Sequence, residues 1–90
     1  MELEKVIEEA RQGNKNALEL LHNAYRLKMR GVCIKMLKDE REVVDDIVHD
    51  AFILAFTSLN KLKNPNKFGQ WLTTIVTNIT FKYLKQCNKV

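Results

Sequence analysis

Acidic side chains and a histidine recur at helical spacing in the middle of the chain. On a helix, positions i, i+1, i+4, i+5 and i+8 share one face. Here these positions hold Asp45, Asp46, His49, Asp50 and Ile53. A cluster of carboxylates is commonly just a solvated surface, and solvent exposure alone would account for the three aspartates. The apolar Ile53 among them favours a docking face for a basic helical partner.

A second group of residues combines lysine, asparagine and one tryptophan. Lysines attract phosphates, asparagine can read a base edge, and aromatic rings stack on unpaired bases. No arginine follows Arg41 to contact guanines, so single-stranded nucleic acid fits better than duplex. Taken alone, Trp71 is better explained as a core residue. It could both pack in the core and contact a base if one edge of its ring is exposed. The candidate nucleic-acid residues are Lys61, Lys63, Asn64, Asn66, Lys67, Trp71, Thr74, Asn78 and Lys82.

Charge is divided unevenly between the two parts of the chain. Residues 1–50 hold all 11 acidic residues and nine of the 15 basic ones, a net charge of −2. Residues 51–90 hold six lysines and no acid, a net charge of +6. A basic segment without acids attracts polyanions, usually nucleic acid, although a solubilising surface has the same composition.

Patterns for catalysis, a cofactor or a metal are missing from the sequence. The two histidines and two cysteines lack metal-ligand spacing, and no glycine-rich phosphate loop occurs. No serine or cysteine has a recognisable base nearby, so we predict a protein that is not an enzyme. No apolar run is long enough for a membrane span, and the acidic N-terminus is unlike a secretory signal. These features predict a cytoplasmic protein with reduced thiols.

Apolar residues recur at helical spacing throughout and predict an all-α fold. We expect a short first helix ending at Gly13, and a second helix capped by Asn14 or Asn16. Residues 39–42 should supply an N-cap for the third helix, with acids in its first turn. The predicted longer helices span 15–38, 41–59 and 66–86, with a polar loop at 60–66.

The predicted core faces follow from the same spacing. The second helix has a broad apolar stripe, which suggests a central position. Gly31 weakens that helix and allows a kink or a close contact. The predicted stripe of the second helix contains Leu18, Leu21, Tyr25, Val32 and Met36, widened by Leu20, Leu27 and Ile34. The predicted core residues of the last helix are Phe68, Leu72, Ile75 and Ile79.

Three segments resemble extracytoplasmic-function (ECF) sigma factors in order and spacing. Residues 42–56 are similar to the family's A-E-D-L-V-Q-E-T-F-L-x-A-W segment, and residues 68–78 to F-x-x-W-L-x-x-I-A-R-N. Residues 13–25 resemble its G-D-x-x-A-x-x-x-L-x-x-x-Y opening. Each motif is weak alone, but together they cover residues 10–87. The resemblance implies one domain over residues 1–90, a compact four-helix bundle of the sigma factor region 2 type.

The resemblance also implies partners. The third helix would dock on the clamp helices of the large subunit of RNA polymerase, through Asp46, His49 and Asp50 with Asp45 and Ile53 beside them. The loop 61–66 would capture a base from the non-template strand of the promoter minus-ten element. The last helix would line the melted strand, through the residues Trp71, Thr74 and Asn78. An anti-sigma factor is a further expected partner.

The chain departs from the family pattern at several positions. His49 replaces a glutamine, Thr77 replaces a common arginine, and Lys85-Gln86 replaces a basic pair, so the promoter sequence is left open. Residues 1–90 do not contain the family's second, helix-turn-helix domain, which suggests an isolated domain or a truncated relative. The main alternative function is a helical adaptor whose acidic face binds a protein and which never contacts DNA. A helix-turn-helix repressor is a weaker alternative.

Overall fold

Four α-helices and two short 3₁₀ turns make up the regular structure of the part of the chain that is described. The structure, a computed structural model, describes residues 2–38 and 41–87. Helix α1 spans Leu3–Arg11, α2 Lys15–Leu37, α3 Arg41–Thr57 and α4 Phe68–Gln86. Two short 3₁₀ turns, Leu59–Lys61 and Pro65–Lys67, connect α3 to α4. The predicted all-α, four-helix fold is confirmed, and the described residues contain no strand.

Local side-chain chemistry explains where the helices begin and end. The Asn14 side chain accepts a hydrogen bond from the Ala17 backbone N–H at 3.1 Å, so Asn14 is the N-cap of α2. Gly13, with φ +85°, makes the turn between α1 and α2. The predicted acidic N-cap of α3 lies outside the described residues. Helix α4 begins two residues later than predicted because the Asn64 side chain and Pro65 start a 3₁₀ turn instead.

The core side of α2 differs from the prediction at two leucines. Leu20 and Leu27 are exposed, whereas the described part of α2 buries Met29, Cys33 and Leu37. Helix α4 likewise buries Leu72, Val76 and Thr80, while Ile75 and Ile79 are half-buried at its margin. In both helices the buried residues recur at every fourth position. Such residues form a ridge on the helix surface, and ridges of this kind pack together when helices cross at an angle. The packing of neighbouring helices, rather than apolar spacing alone, therefore selects the buried face.

Cys33 and Thr80 meet where α2 crosses α4. The Cys33 Sγ and Thr80 Oγ1 atoms lie 3.5 Å apart, and the Thr80 hydroxyl donates to the Val76 carbonyl at 2.8 Å. Burial raises the pKa of the Cys33 thiol, against the opposing effects of the Thr80 hydrogen bond and the Arg30 charge. Cys33 therefore acts as a small neutral core residue.

We expect Gly31→Ala to stabilise the fold by about 0.5–1 kcal/mol, because alanine loses less backbone freedom than glycine in a helix. A Cβ added at Gly31 meets nothing within 4 Å, so the close contact allowed by the sequence does not occur. Urea denaturation measures the change. Gly69→Ala is the matched control, because its Cβ would lie 3.3 Å from Cε1 of Tyr25. Equal effects of the two substitutions would contradict this explanation.

Candidate protein-docking and nucleic-acid interfaces

The predicted acidic face is present on the outer side of α3. Val44, Ile47, Val48, Ala51 and Phe52 turn inward and are buried. The five predicted docking residues are all exposed on this helix, including Ile53 with half of its surface accessible. We call the set Asp45, Asp46, His49, Asp50 and Ile53 the acidic face.

One carboxylate of the acidic face already has a partner within the chain. Asp45 forms an ion pair with Arg30 of α2. Exposed pairs of this kind stabilise folding little, but the arginine offsets the charge of Asp45. Asp46 and Asp50 make no ion pair with any other residue that the structure describes. These two carboxylates therefore carry the free negative charge of the acidic face.

A groove of about 350 Å³ runs between α3 and α4 beside the acidic face. Asp46 and Asp50 line it from α3, and Lys82 and Tyr83 line it from α4. Hydrogen bonding to Cys87 raises the pKa of Tyr83, so its phenol is neutral near pH 7. Lys82, a predicted nucleic-acid residue, therefore shares this groove with the two free carboxylates. The acidic face and the basic part of α4 adjoin along this groove.

A second groove, of about 370 Å³, lies between the α3–α4 loop and the start of α4. Five of the nine predicted nucleic-acid residues line it, together with Leu62 and Gln70. We call it the loop groove. Its predicted residues are Lys63, Asn64, Lys67, Trp71 and Thr74. Lys61 and Asn66 are exposed in the same loop, and Asn78 is exposed one turn beyond Thr74.

Trp71 is both a core residue and a lining residue of the loop groove. Its ring lies 6.1 Å from that of buried Phe68, centroid to centroid, and the residue is half-buried. Phe68 in turn makes an edge contact with Tyr25 of α2, at 5.1 Å. This chain of aromatic contacts fixes the tryptophan while leaving part of it accessible to a base.

Two residues beside the predicted set were missed in the sequence. Lys28 of α2 lines a groove of about 440 Å³ with Asn66 and Lys67, which extends the basic surface onto a second helix. Phe81 is 47% exposed and follows Thr74 by seven residues, so Phe81 lies on the same face of α4 as Thr74. The seven-residue spacing from Thr74 could have identified Phe81 from the sequence. Lys28 had no such signal, because Asn66 and Lys67 come from a distant segment of the chain.

Arg11 holds the start of the loop in place from α1. Its Nε donates to the Leu59 carbonyl at 3.4 Å, and its Nη2 donates to the Leu62 carbonyl. Its Nη1 forms an ion pair with the Glu8 carboxylate at 2.5 Å. Further along, the Asn64 side-chain oxygen accepts from the Asn66 N–H at 3.0 Å. Side-chain hydrogen bonds therefore shape both ends of the loop that borders the groove.

The family model for Sigma-70 region 2 matches residues 21–89 of the chain. The chain belongs to the Sigma-70 region 2 family. This match includes α3, the loop and α4, and so both candidate interfaces. The family is not enzymatic, in agreement with the prediction.

Three curated relatives confirm the resemblance of this region 2 domain to ECF sigma factors. The "ECF RNA polymerase sigma factor SigW" of Bacillus subtilis is 29% identical over 86 residues, 96% of this chain and 46% of the relative. The "ECF RNA polymerase sigma-E factor" of Haemophilus influenzae is 30% identical over 88% of this chain and 41% of the relative. The "RNA polymerase sigma-H factor" of Pseudomonas aeruginosa is 28% identical over 90% and 42%. The chain spans less than half the length of these relatives, and no solved structure matches it.

Two further features of the region 2 domain concern other classes of site. Within residues 2–38 and 41–87, no group of three or more metal-ligating side chains could hold an ion. No helix in the described part of the chain combines the length and hydropathy needed to cross a membrane.

We expect Arg11→Gln to destabilise the region 2 domain by about 1–3 kcal/mol, because two loop carbonyls lose a charged donor. The same change should weaken binding in the loop groove, although Arg11 does not line it. Urea denaturation and oligonucleotide titration measure the two effects. Arg26→Gln removes a charge from an exposed position of α2 and serves as the control. An unchanged unfolding midpoint for Arg11→Gln would show that the loop holds its shape unaided.

Proposed function

We propose that this region 2 domain acts in transcription initiation, by binding core RNA polymerase and holding one unpaired strand of promoter DNA. The acidic face of α3 binds polymerase, and the loop groove holds the non-template strand of the minus-ten element. The convergence of two lysines, an asparagine and a tryptophan in one groove supports the nucleic-acid role most directly.

Each group in the loop groove has a distinct task. Lys63 and Lys67 attract phosphates, and the accessible edge of Trp71 provides a surface for an unpaired base. The Asn64 oxygen already accepts a backbone hydrogen bond, so its amide N–H groups are the ones to donate to a base. The Thr74 hydroxyl donates to the Gln70 carbonyl at 3.1 Å and keeps its lone pairs as acceptors.

The surface continues beyond the groove along α4. Asn78 and Phe81 are exposed on the same face, so a strand leaving the groove meets an amide and then an aromatic ring. Stacking on aromatic rings stabilises a bound base by about 1–3 kcal/mol. Base contacts and lysine–phosphate attraction together offset the cost of unstacking the promoter, which is a few kcal/mol.

Oligonucleotide binding with and without polymerase tests the proposal. Because the promoter sequence is open, the probe is a labelled pool of single strands of about 12 nucleotides with randomised bases. We expect weak binding to the domain alone, tighter binding when core polymerase is present, and weaker binding of the same pool as duplex. No binding in the presence of polymerase, or binding that ignores salt, would contradict the proposed function.

A further inference from the structure

An exposed apolar stripe lies on α2, outside the acidic face and the loop groove. Leu20 is 52% exposed and Leu27 70%, with exposed Ala24 between them. Gly31 continues the stripe, and a Cβ built on it meets no atom within 4 Å. We call Leu20, Ala24, Leu27 and Gly31 the α2 stripe.

The spacing of the α2 stripe matches the seam of a helix pair. Its residues follow one another at intervals of four, three and four, the alternation of a heptad repeat. A side chain of a packing helix enters a hole formed by residues i, i+3, i+4 and i+7. Residues 24, 27, 28 and 31 form such a hole, with small side chains at both ends. Those small residues allow the backbone of a second helix to approach closely.

Charge around the α2 stripe selects the kind of helix that fits. Residues 20–38 contain five basic side chains and no acid. Lys28 and Lys35 are exposed beside the stripe, while Arg30 is paired with Asp45. A second copy of α2 would bring these like charges together, which is unfavourable. A helix with glutamate or aspartate beside its apolar seam is complementary.

We propose that the α2 stripe is a docking site for an acidic amphipathic helix of another protein. Leu27 enters the seam of the partner helix, and a large apolar side chain of the partner fills the hole next to Gly31. Lys28 and Lys35 face carboxylates along one edge of the seam. The proposal concerns a surface outside the acidic face and the loop groove, so either can fail without the other.

A defined peptide tests the site on the full chain. The probe is a labelled peptide of three heptads, with leucine and alanine alternating on the seam and glutamate on both flanks. We expect saturable binding by fluorescence anisotropy, and a loss of about tenfold or more with Leu27→Ser. Leu54→Ser is the matched control, because Leu54 of α3 is also an exposed leucine, at 46%. Absence of saturable binding, or equal binding by Leu27→Ser and the unchanged chain, overturns the proposal.

Filling the hole gives a second test that a folding defect cannot imitate. Gly31→Gln places a long side chain where the partner should enter, and glutamine favours a helix more than glycine does. We expect a higher unfolding midpoint together with weaker peptide binding. Unchanged peptide binding with raised stability would show that the hole is not used.

Two other occupants have outcomes of their own. Leu27-dependent binding to vesicles of phosphatidylglycerol and phosphatidylcholine, without peptide binding, would assign the stripe to a membrane surface and overturn the proposal. Leu27-dependent self-association in sedimentation, again without peptide binding, would assign it to a second copy and also overturn it.

Discussion

We expect that replacing Asp46 and Asp50 by lysine weakens binding of the region 2 domain to core RNA polymerase by at least about a hundredfold, while the domain remains folded. Both carboxylates are exposed and make no ion pair with another described residue, so their removal costs the fold little. Opposite a basic partner, each lysine replaces an attraction with a repulsion. Biolayer interferometry with purified core polymerase at low ionic strength measures the loss, and circular dichroism checks the fold.

The control for this substitution carries the same change of charge. Glu4→Lys plus Glu9→Lys alters two exposed acids of α1 and should leave polymerase binding nearly unchanged. Asp45→Asn provides a graded comparison, because Arg30 already offsets the Asp45 charge and a smaller effect is expected. Equal losses in the two double variants would indicate general electrostatic attraction, and full binding by the Asp46 and Asp50 variant would remove the docking role of α3.

The helices could be predicted because their signals are local. The Asn14 cap, the turn at Gly13 and the proline at residue 65 act within a few neighbouring residues, so the sequence contains all that is needed to locate them. The acidic face was also predictable, because α3 alternates buried and charged residues with helical spacing.

The buried face of α2 could not be predicted in the same way. Apolar residues occur on most sides of this helix, so spacing alone does not show which ones its neighbours cover. The structure buries Met29 and Cys33 and leaves Leu20 and Leu27 exposed, because α1, α3 and α4 all pack against the other side of α2. The misassigned leucines are two of the four residues of the α2 stripe, so the error in the core prediction marks a surface that the rest of the domain does not cover.

Contacts between distant segments also could not be predicted from the sequence. Arg11 and Leu62 are 51 residues apart in sequence, and no local pattern links a helix-end arginine to a loop carbonyl. The position of Lys82 beside Asp46 and Asp50 likewise depends on how α3 packs against α4. The residues of the candidate interfaces could therefore be predicted from the sequence, whereas their grouping into grooves could be seen only in the folded structure.

Replacing Lys63 and Lys67 by glutamate should remove most of the salt-dependent binding of single-stranded DNA. If Lys61, Lys63 and Lys67 each neutralise one phosphate, log affinity falls with log salt at a slope near −2, and the double variant leaves a slope of about −0.7. At low salt we expect affinity to fall at least about tenfold, since each glutamate also repels the strand. Fluorescence anisotropy at several potassium chloride concentrations gives both quantities.

The matched control separates the loop groove from general attraction. Lys35→Glu plus Lys38→Glu makes the same change of charge at the C-terminal end of α2. The part of α2 that packs near the loop groove is Tyr25, which contacts Phe68. A specific groove requires this control to retain most of the salt slope and most of the affinity. The adaptor alternative, which has an acidic docking face and no DNA contact, predicts no salt-dependent DNA binding by any of these proteins and intact polymerase binding by both lysine variants. Trp71 lines the groove with Lys63 and Lys67, so a strand held there should lose further affinity when Trp71→Ala is added to the control variant. Because Trp71 also packs on Phe68, this result counts only if circular dichroism shows that the variant is folded.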